Sequence, residues 1–287
     1  MTAEEFIEEV TSSEIAPFDF VGIYNRFQFF QKLAIDTLNN FHQVCIENDI
    51  TYVLAYGSLL GAVRDNGQIP WDYDIDVFVP FEERLDLVKA LKKCLKSEYY
   101  FYCPETSPKC RHEFIRIAPK GFRTEELHVD VFYLTGAPDD YDQIKTIADR
   151  ITKLSKLRYF KLVKTNYASY GNIKTFIRLI MQKCLYFMKS HIKAQQEYLS
   201  ICSEFKAKES KYNITADTFS GEVIYKSKSV WKTTLVKTNI GEYFIPFDCD
   251  TILRQTYGDY TKIPPLENRV DEVLYHYGKL NKYAEII

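Results

Sequence analysis

The chain has 287 residues, 46% of them hydrophobic, with 37 Lys and Arg against 39 Asp and Glu and a formal net charge of −2. So close a balance excludes the global basic field that drives non-specific nucleic-acid binding, and the hydrophobic content can bury one large core or two small ones. No run of about 18 uncharged apolar residues exists, so no membrane-spanning helix is expected.

Residues 1–21 read as an acidic lead-in, unlike a secretory signal or a transit peptide, which places the protein in the cytoplasm. From Val21 to Asn48, Ile23, Phe27, Phe30, Ala34, Leu38, Phe41 and Cys45 recur at steps of three and four, one face of a long helix. Tyr52 to Tyr56 is apolar and strand-like. Gly57-Ser58 follows, and Ser58 can cap a short helix, Leu59 to Arg64. The first N–H groups and dipole of that helix would suit a phosphate, with Arg64 adding charge to it or merely facing the helix C-terminus. Asp65-Asn66-Gly67 is a turn signal, and Pro70-Trp71 breaks any further helix.

Asp74 to Val79 is the second strand. Asp74 and Asp76 share one face, about 7 Å apart, with Tyr73 on the other. Asp72 has their parity but follows Pro70-Trp71, which leaves its direction open. Trp71 could stack on a ligand or wedge the turn. Like charges held side by side are tolerated when a divalent cation sits between them, so the pair proposes a site for Mg²⁺ or Mn²⁺.

Glu82 to Ser97 reads as a helix, Tyr99 to Cys103 and Glu113 to Ile117 as strands, and Glu126 to Leu134 as a stronger strand on which His128 and Asp130 share a face. The seven cysteines are odd in number and contain no Cys-x-x-Cys, as expected of reduced thiols in the core. Cys103, Cys110 and His112 match no familiar zinc spacing. After a polar boundary at 136–142, residues 141–210 look mostly helical. Within them, 173–193 are apolar and carry Lys174, Arg178, Lys183, Lys189 and Lys193 but no acid. That pattern fits either a helix lying on anionic lipid or a core helix with snorkelling lysines. Thr218 to Phe247 reads as β structure with a hairpin across Asn239-Ile240-Gly241. Asp248 can cap a helix ending at Tyr257-Gly258.

The run Gly-Ser-Leu-Leu-Gly-Ala-Val-Arg from Gly57, followed by Gly-x-Ile-Pro-Trp-Asp-x-Asp-Ile-Asp ending at Asp76, resembles the signature of the LicD family of the nucleotidyltransferase-fold superfamily. The likeness covers about residues 22–135 and returns in Tyr257-Gly258-Asp259-Tyr260, a segment that here also reads as a plain helix stop. Tyr73 stands where members often carry a further aspartate. The resemblance implies an α/β (α+β) fold: a nucleotidyltransferase-like core at 22–135 with a small mixed sheet, and a largely helical elaboration at 136–287, all in one domain. It nominates Asp130 as a third carboxylate beside Asp74 and Asp76, with Gly57, Ser58, Arg64, Trp71 and Asp72 toward the substrate. It further implies transfer of an alcohol phosphate such as phosphocholine from a CDP-activated donor to a glycan acceptor, one that can be lipid-linked, with CMP leaving. Peripheral contact with a membrane through 173–193 would suit such an acceptor. Two other readings stay open: a nucleotidyltransferase that moves the NMP and releases pyrophosphate, and a non-catalytic relative that keeps the fold.

Overall fold

The computed structural model describes residues 1–163, 173–216 and 224–280. Residues 164–172, 217–223 and 281–287 lie outside the described residues, and with them the start of the β region expected from Thr218.

The lead-in is structured. A helix, α1 (Ala3–Thr11), opens with a capping box in which Thr2 and Glu5 bond each other's backbone N–H. Phe6 of this helix is fully buried, its ring 5.9 Å from Phe20, 5.5 Å from Tyr24 and 5.5 Å from Trp71. The acidic surface of the segment hid two apolar positions, Phe6 and Val10, spaced for one helical face.

The long helix α2 (Phe20–Glu47) buries Tyr24, Phe27, Phe30, Ala34, Leu38, Phe41 and Cys45, the expected stripe with Tyr24 in place of Ile23. It packs across the main sheet, whose central strands follow in the order β1 (Val53–Leu54), β2 (Ile75–Pro80), β5 (Val129–Ala137), β4 (Ile115–Pro119) and β3 (Tyr99–Tyr102). Among the described residues, only β2 and β5 run parallel. A short helix, α3 (Tyr56–Leu60), leaves β1 directly, and α4 (Arg84–Cys94) follows β2.

β5 runs three residues past the expected end, into the start of the polar boundary. There β6 (Tyr212–Thr215) pairs with its far end, and β7 (Ile224–Lys226) extends the sheet beyond. Between β5 and β6 come α5 (Tyr141–Leu162), α6 (Ile173–Leu185) and α7 (His191–Cys202). After α8 (Ser227–Trp231), the hairpin of β8 (Thr233–Thr238) and β9 (Gly241–Pro246) lies against β1, and α9 (Cys249–Tyr257) and α10 (Leu266–Leu280) close the described chain. The C-terminal half is therefore not only helical: four strands of the described residues lie in it, two of them in the main sheet. The fold is α/β, as expected, with one core cluster running from Phe6 to Leu280.

Because α1 supplies an edge of that core, Phe6→Ala should cost about 3–5 kcal/mol of stability in urea unfolding. A cost below about 1 kcal/mol would show that α1 merely rests on the surface.

Candidate active site

The register of the sheet builds the site. Asp76 on β2 is paired with Asp130 on β5, Asp130 with Arg116 on β4, and Arg116 with Tyr102 on β3. Side chains directly opposite one another lie on one face with Cβ atoms about 4.5–5.5 Å apart. Two carboxylates, a guanidinium and a phenol thus form one line across the sheet. Asp74 and Asp72 extend it along the chain: Trp71, Tyr73 and Ile75 are buried while Asp72, Asp74 and Asp76 are half-buried, the alternation expected of extended backbone. Asp72, whose direction the sequence left open, joins the row. Its Oδ1 accepts the Asp74 N–H at 3.0 Å, and its Oδ2 lies 3.0 Å from where a Cβ on Gly57 would stand.

Gly57 is therefore small because a carboxylate lies against it. Ser58 does not cap a helix. The helix begins earlier, at Tyr56, after Ala55, and the Ser58 hydroxyl accepts the Asp76 N–H at 2.9 Å. Both residues still sit in the first turn of α3, where backbone N–H groups have no partner within the helix. Tyr56 enters that turn with a left-handed φ of 43°, and its ring is held edge-on at 5.0 Å from Phe78 and 5.6 Å from Phe132. From α3 the chain passes into a wider π-turn over Gly61–Asp65. A side chain at Gly61 would meet the Gly67 carbonyl, so the turn closes tightly there.

Arg64 bonds Asp65 through Nη2 at 2.7 Å and lies 5.5 Å from the Trp71 ring. Trp71 is buried against Phe6, with Arg269 of α10 on it at 5.1 Å. Of the two roles open to Trp71, the geometry fits the wedge and not a ligand platform.

The electrostatics divide the row. Burial, then the charges of Asp130, Asp74 and Asp72, push the Asp76 pKa well above the usual carboxylate range, against the pull of Arg116. Asp72 is raised to about 7 by burial and by Asp74. For Asp130, burial alone would act the same way, but His128 and Arg116 outweigh it and hold the group below its ordinary value. Arg116 grips it with Nε to Oδ1 at 2.9 Å and Nη2 to Oδ2 at 3.3 Å, and His128 Nε2 lies 3.3 Å from Oδ1. Asp130 is thus a neutralised carboxylate, while the Asp72–Asp74–Asp76 side is not.

As donors, the three oxygen-bearing side chains on that side suit a hard divalent cation such as Mg²⁺ or Mn²⁺, and their mutual repulsion is the condition such an ion relieves. Asp130, expected as a further ligand, is bonded to Arg116 through both oxygens and keeps one lone pair on each beyond those bonds. Among the described residues, no three His, Cys, Asp or Glu side chains converge tightly enough to enclose an ion by themselves.

Sequence reasoning missed four residues here. Arg116 was hidden in a short strand, where a lone Arg between Ile115 and Ile117 was its only signal. Tyr102 lay in another. Tyr257, read as the end of a helix stop, does precede Gly258, whose φ of 68° closes α9 and whose N–H bonds Arg254. It also reaches the site: burial, then the charges of Asp76 and Asp72, raise its pKa. His276 of α10 lies edge-on to Tyr73 at 4.6 Å; burial lowers its pKa against the opposing pull of Asp74 and Glu272. Beyond Tyr102 the row opens into a cleft of about 1140 Å³ lined by Tyr102, Arg111, His112, Thr124, Tyr159 and Lys161 among others. Thr124 ties it to the row, because its carbonyl accepts from Arg116 Nη1 at 3.2 Å.

Fold and site together define an α/β protein with an acidic row on one face of a mixed sheet, beside the start of a short helix. Residues 49–170 match the family described as LicD/FKTN/FKRP, nucleotidyltransferase domain. Over that stretch the chain is similar to the LicD family. It is 26% identical over 253 residues to the lipopolysaccharide cholinephosphotransferase LicD of Haemophilus influenzae, covering 83% of this chain and 92% of that protein. An uncharacterised protein of Rickettsia prowazekii is 40% identical over a 50-residue stretch, 17% of this chain and 19% of that one.

The raised carboxylates carry a stability cost with a definite sign. Between the unfolded value near 3.9 and about 7, folded Asp72 keeps a proton that the unfolded chain releases, so stability falls as pH rises through that window. Asp72→Asn should therefore be more stable than the parent at pH 8, by about 1–3 kcal/mol in urea unfolding, with the advantage gone near pH 4. Equal stabilities at both pH values would show that the row is not under repulsion.

Proposed function

We propose that the protein is a LicD-type phosphotransferase that moves an alcohol phosphate, phosphocholine or a close analogue, from a CDP-activated donor to a hydroxyl of a glycan. The observation that carries this reading is the row Asp72, Asp74, Asp76 and Asp130 set beside the first turn of α3. The likeness to a lipopolysaccharide cholinephosphotransferase over most of both chains supports the choice of transferred group and acceptor class.

Phosphoryl transfer asks a protein mainly for positioning and charge neutralisation. Asp74 and Asp76, with Asp72 beside them, would hold Mg²⁺ or Mn²⁺, which supplies neutralisation of the diphosphate charge. The first turn of α3, at Gly57 and Ser58, offers backbone N–H groups to the phosphate on the CMP side. Ser58 also fixes Asp76 through its main chain, so donor and carboxylates are placed by one contact. The acceptor oxygen attacks the phosphorus of the alcohol phosphate, and the hydroxyl proton leaves to solvent. The bond from that phosphorus to the bridging oxygen breaks, and CMP departs with the electron pair, leaving a phosphodiester on the glycan.

Asp130, held ionised by Arg116 and His128, accepts the acceptor's O–H and orients it; its lowered pKa makes it a weak base, so orientation is its main contribution. The cleft beyond Tyr102 supplies tyrosine faces and cationic side chains where a charged glycan would lie. Its His112 is a neutral imidazole, its pKa pushed down to about 2 by burial and by Arg116 and Arg111.

Incubating the protein with CDP-choline, Mg²⁺ and a glycan acceptor, then weighing the products, tests the reading. An acceptor heavier by phosphocholine, with free CMP, is expected, and Asp74→Asn should lower the rate about a thousandfold, or about 4 kcal/mol. An acceptor carrying CMP instead would overturn the proposal in favour of nucleotidyl transfer, and full activity of Asp74→Asn would remove the acidic row from the chemistry.

A further inference from the structure

Helix α6 turns its apolar side outward. Ile173, Ile177, Met181 and Leu185 follow one another at steps of four, one stripe of the helix, and are 61%, 51%, 62% and 68% exposed, while Leu179 on the other side is buried. The stripe continues into the connection to α7, where Phe187 and Met188 are 73% and 90% exposed. A surface helix of a water-soluble domain shows the opposite arrangement. The core-helix alternative for this segment fails on these exposures.

The charge around the stripe is of one sign. From Arg150 to Gln196 the sequence holds eleven Lys and Arg and no Asp or Glu, in a chain whose net charge is −2. Lys174, Arg178, Lys183, Lys189 and Lys193 flank the stripe, and among the described residues none of them is ion-paired. Lys183 is lowered in pKa by partial burial and by Lys161, a crowding of cations that an anionic surface would relieve.

We propose that α6 and the turn after it form a docking face for an anionic phospholipid bilayer, lying in the headgroup region with the stripe inward and the lysines on lipid phosphates. Three observations single out this occupant. Among the described residues no helix is long and apolar enough to cross a membrane, so the face lies on a bilayer and does not span it. A second copy of the chain is disfavoured, because pairing this face with itself would bring two wholly cationic surfaces together. A nucleic acid would use the lysines and leave six large apolar side chains in water.

The position also has a consequence for the site. Lys161 lines the cleft beyond Tyr102, and its ammonium donates to the Phe187 carbonyl at 2.7 Å, so the rim of the cleft is the edge of the docking face. A protein seated by α6 holds that cleft at the lipid–water boundary, where a hydroxyl of a lipid-linked glycan would be found. The docking face itself does not depend on which group is transferred.

Co-sedimentation with vesicles tests it, with no donor or acceptor present. The full chain should pellet with phosphatidylcholine vesicles containing phosphatidylglycerol at about 0.02 M salt, release at about 0.5 M, and ignore pure phosphatidylcholine. Lys174→Glu with Arg178→Glu, and separately Phe187→Ser with Met188→Ser, should each weaken binding at least about tenfold. Circular dichroism should stay unchanged, because all four side chains lie on the surface. Failure to pellet at low salt, or pelleting that neither pair of substitutions alters, would overturn the proposal. So would a dimer in sedimentation velocity that Ile177→Ser dissolves, which would assign the stripe to a second copy.

Discussion

Asp76 and Asp130 are neighbours across the parallel strands β2 and β5, and two carboxylates placed side by side away from bulk water repel each other. The rest of the site is arranged around that repulsion. On one flank, the antiparallel β4 brings Arg116 opposite Asp130 and neutralises it with two charge-assisted bonds. On the other flank Asp72 and Asp74 add to the repulsion. A sheet that carries such a row needs a large core to hold it. The aromatic packing of α1, α2 and α10 around Trp71 and Tyr73 provides the backing, on the face opposite the acids.

The helix start beside the row shows how little geometry separates a structural residue from a functional one. Ser58 was expected to cap a helix and instead bonds the backbone of Asp76, which couples the first turn of α3 to the carboxylates directly. The strained Tyr56, fixed between Phe78 and Phe132, sets the angle at which α3 leaves β1. A left-handed tyrosine is a conformation that tertiary packing imposes and no local sequence rule anticipates.

Periodic patterns in the sequence revealed the long helix, the two acidic strands and the shared face of Asp74 and Asp76, because alternation and helical spacing are local properties. What they did not reveal was cross-strand register. Arg116 and Tyr102 enter the site only because β3 and β4 pair antiparallel at one register. Tyr257 and His276 arrive from 181 and 200 residues downstream of Asp76, through packing alone. The acidic lead-in was misread for a related reason: two buried residues in a charged nine-residue helix give too weak a period to stand out. For 173–193 the composition was ambiguous between core and interface, because composition does not say which way the apolar stripe faces; in the structure it faces outward.

The central claim is that Asp72, Asp74 and Asp76 form a mutually repelling row whose charge is stabilised by a divalent cation. Carbon-13 NMR of the aspartate carboxyls, followed as pH is raised from 3 to 9 with and without Mg²⁺, tests it most directly. The structure leads one to expect at least one carboxyl that titrates near 7 without the ion and shifts to an ordinary or lower value with it, a change lost in Asp76→Asn. Carboxyls that all titrate in the usual aspartate range, unmoved by Mg²⁺, would contradict it.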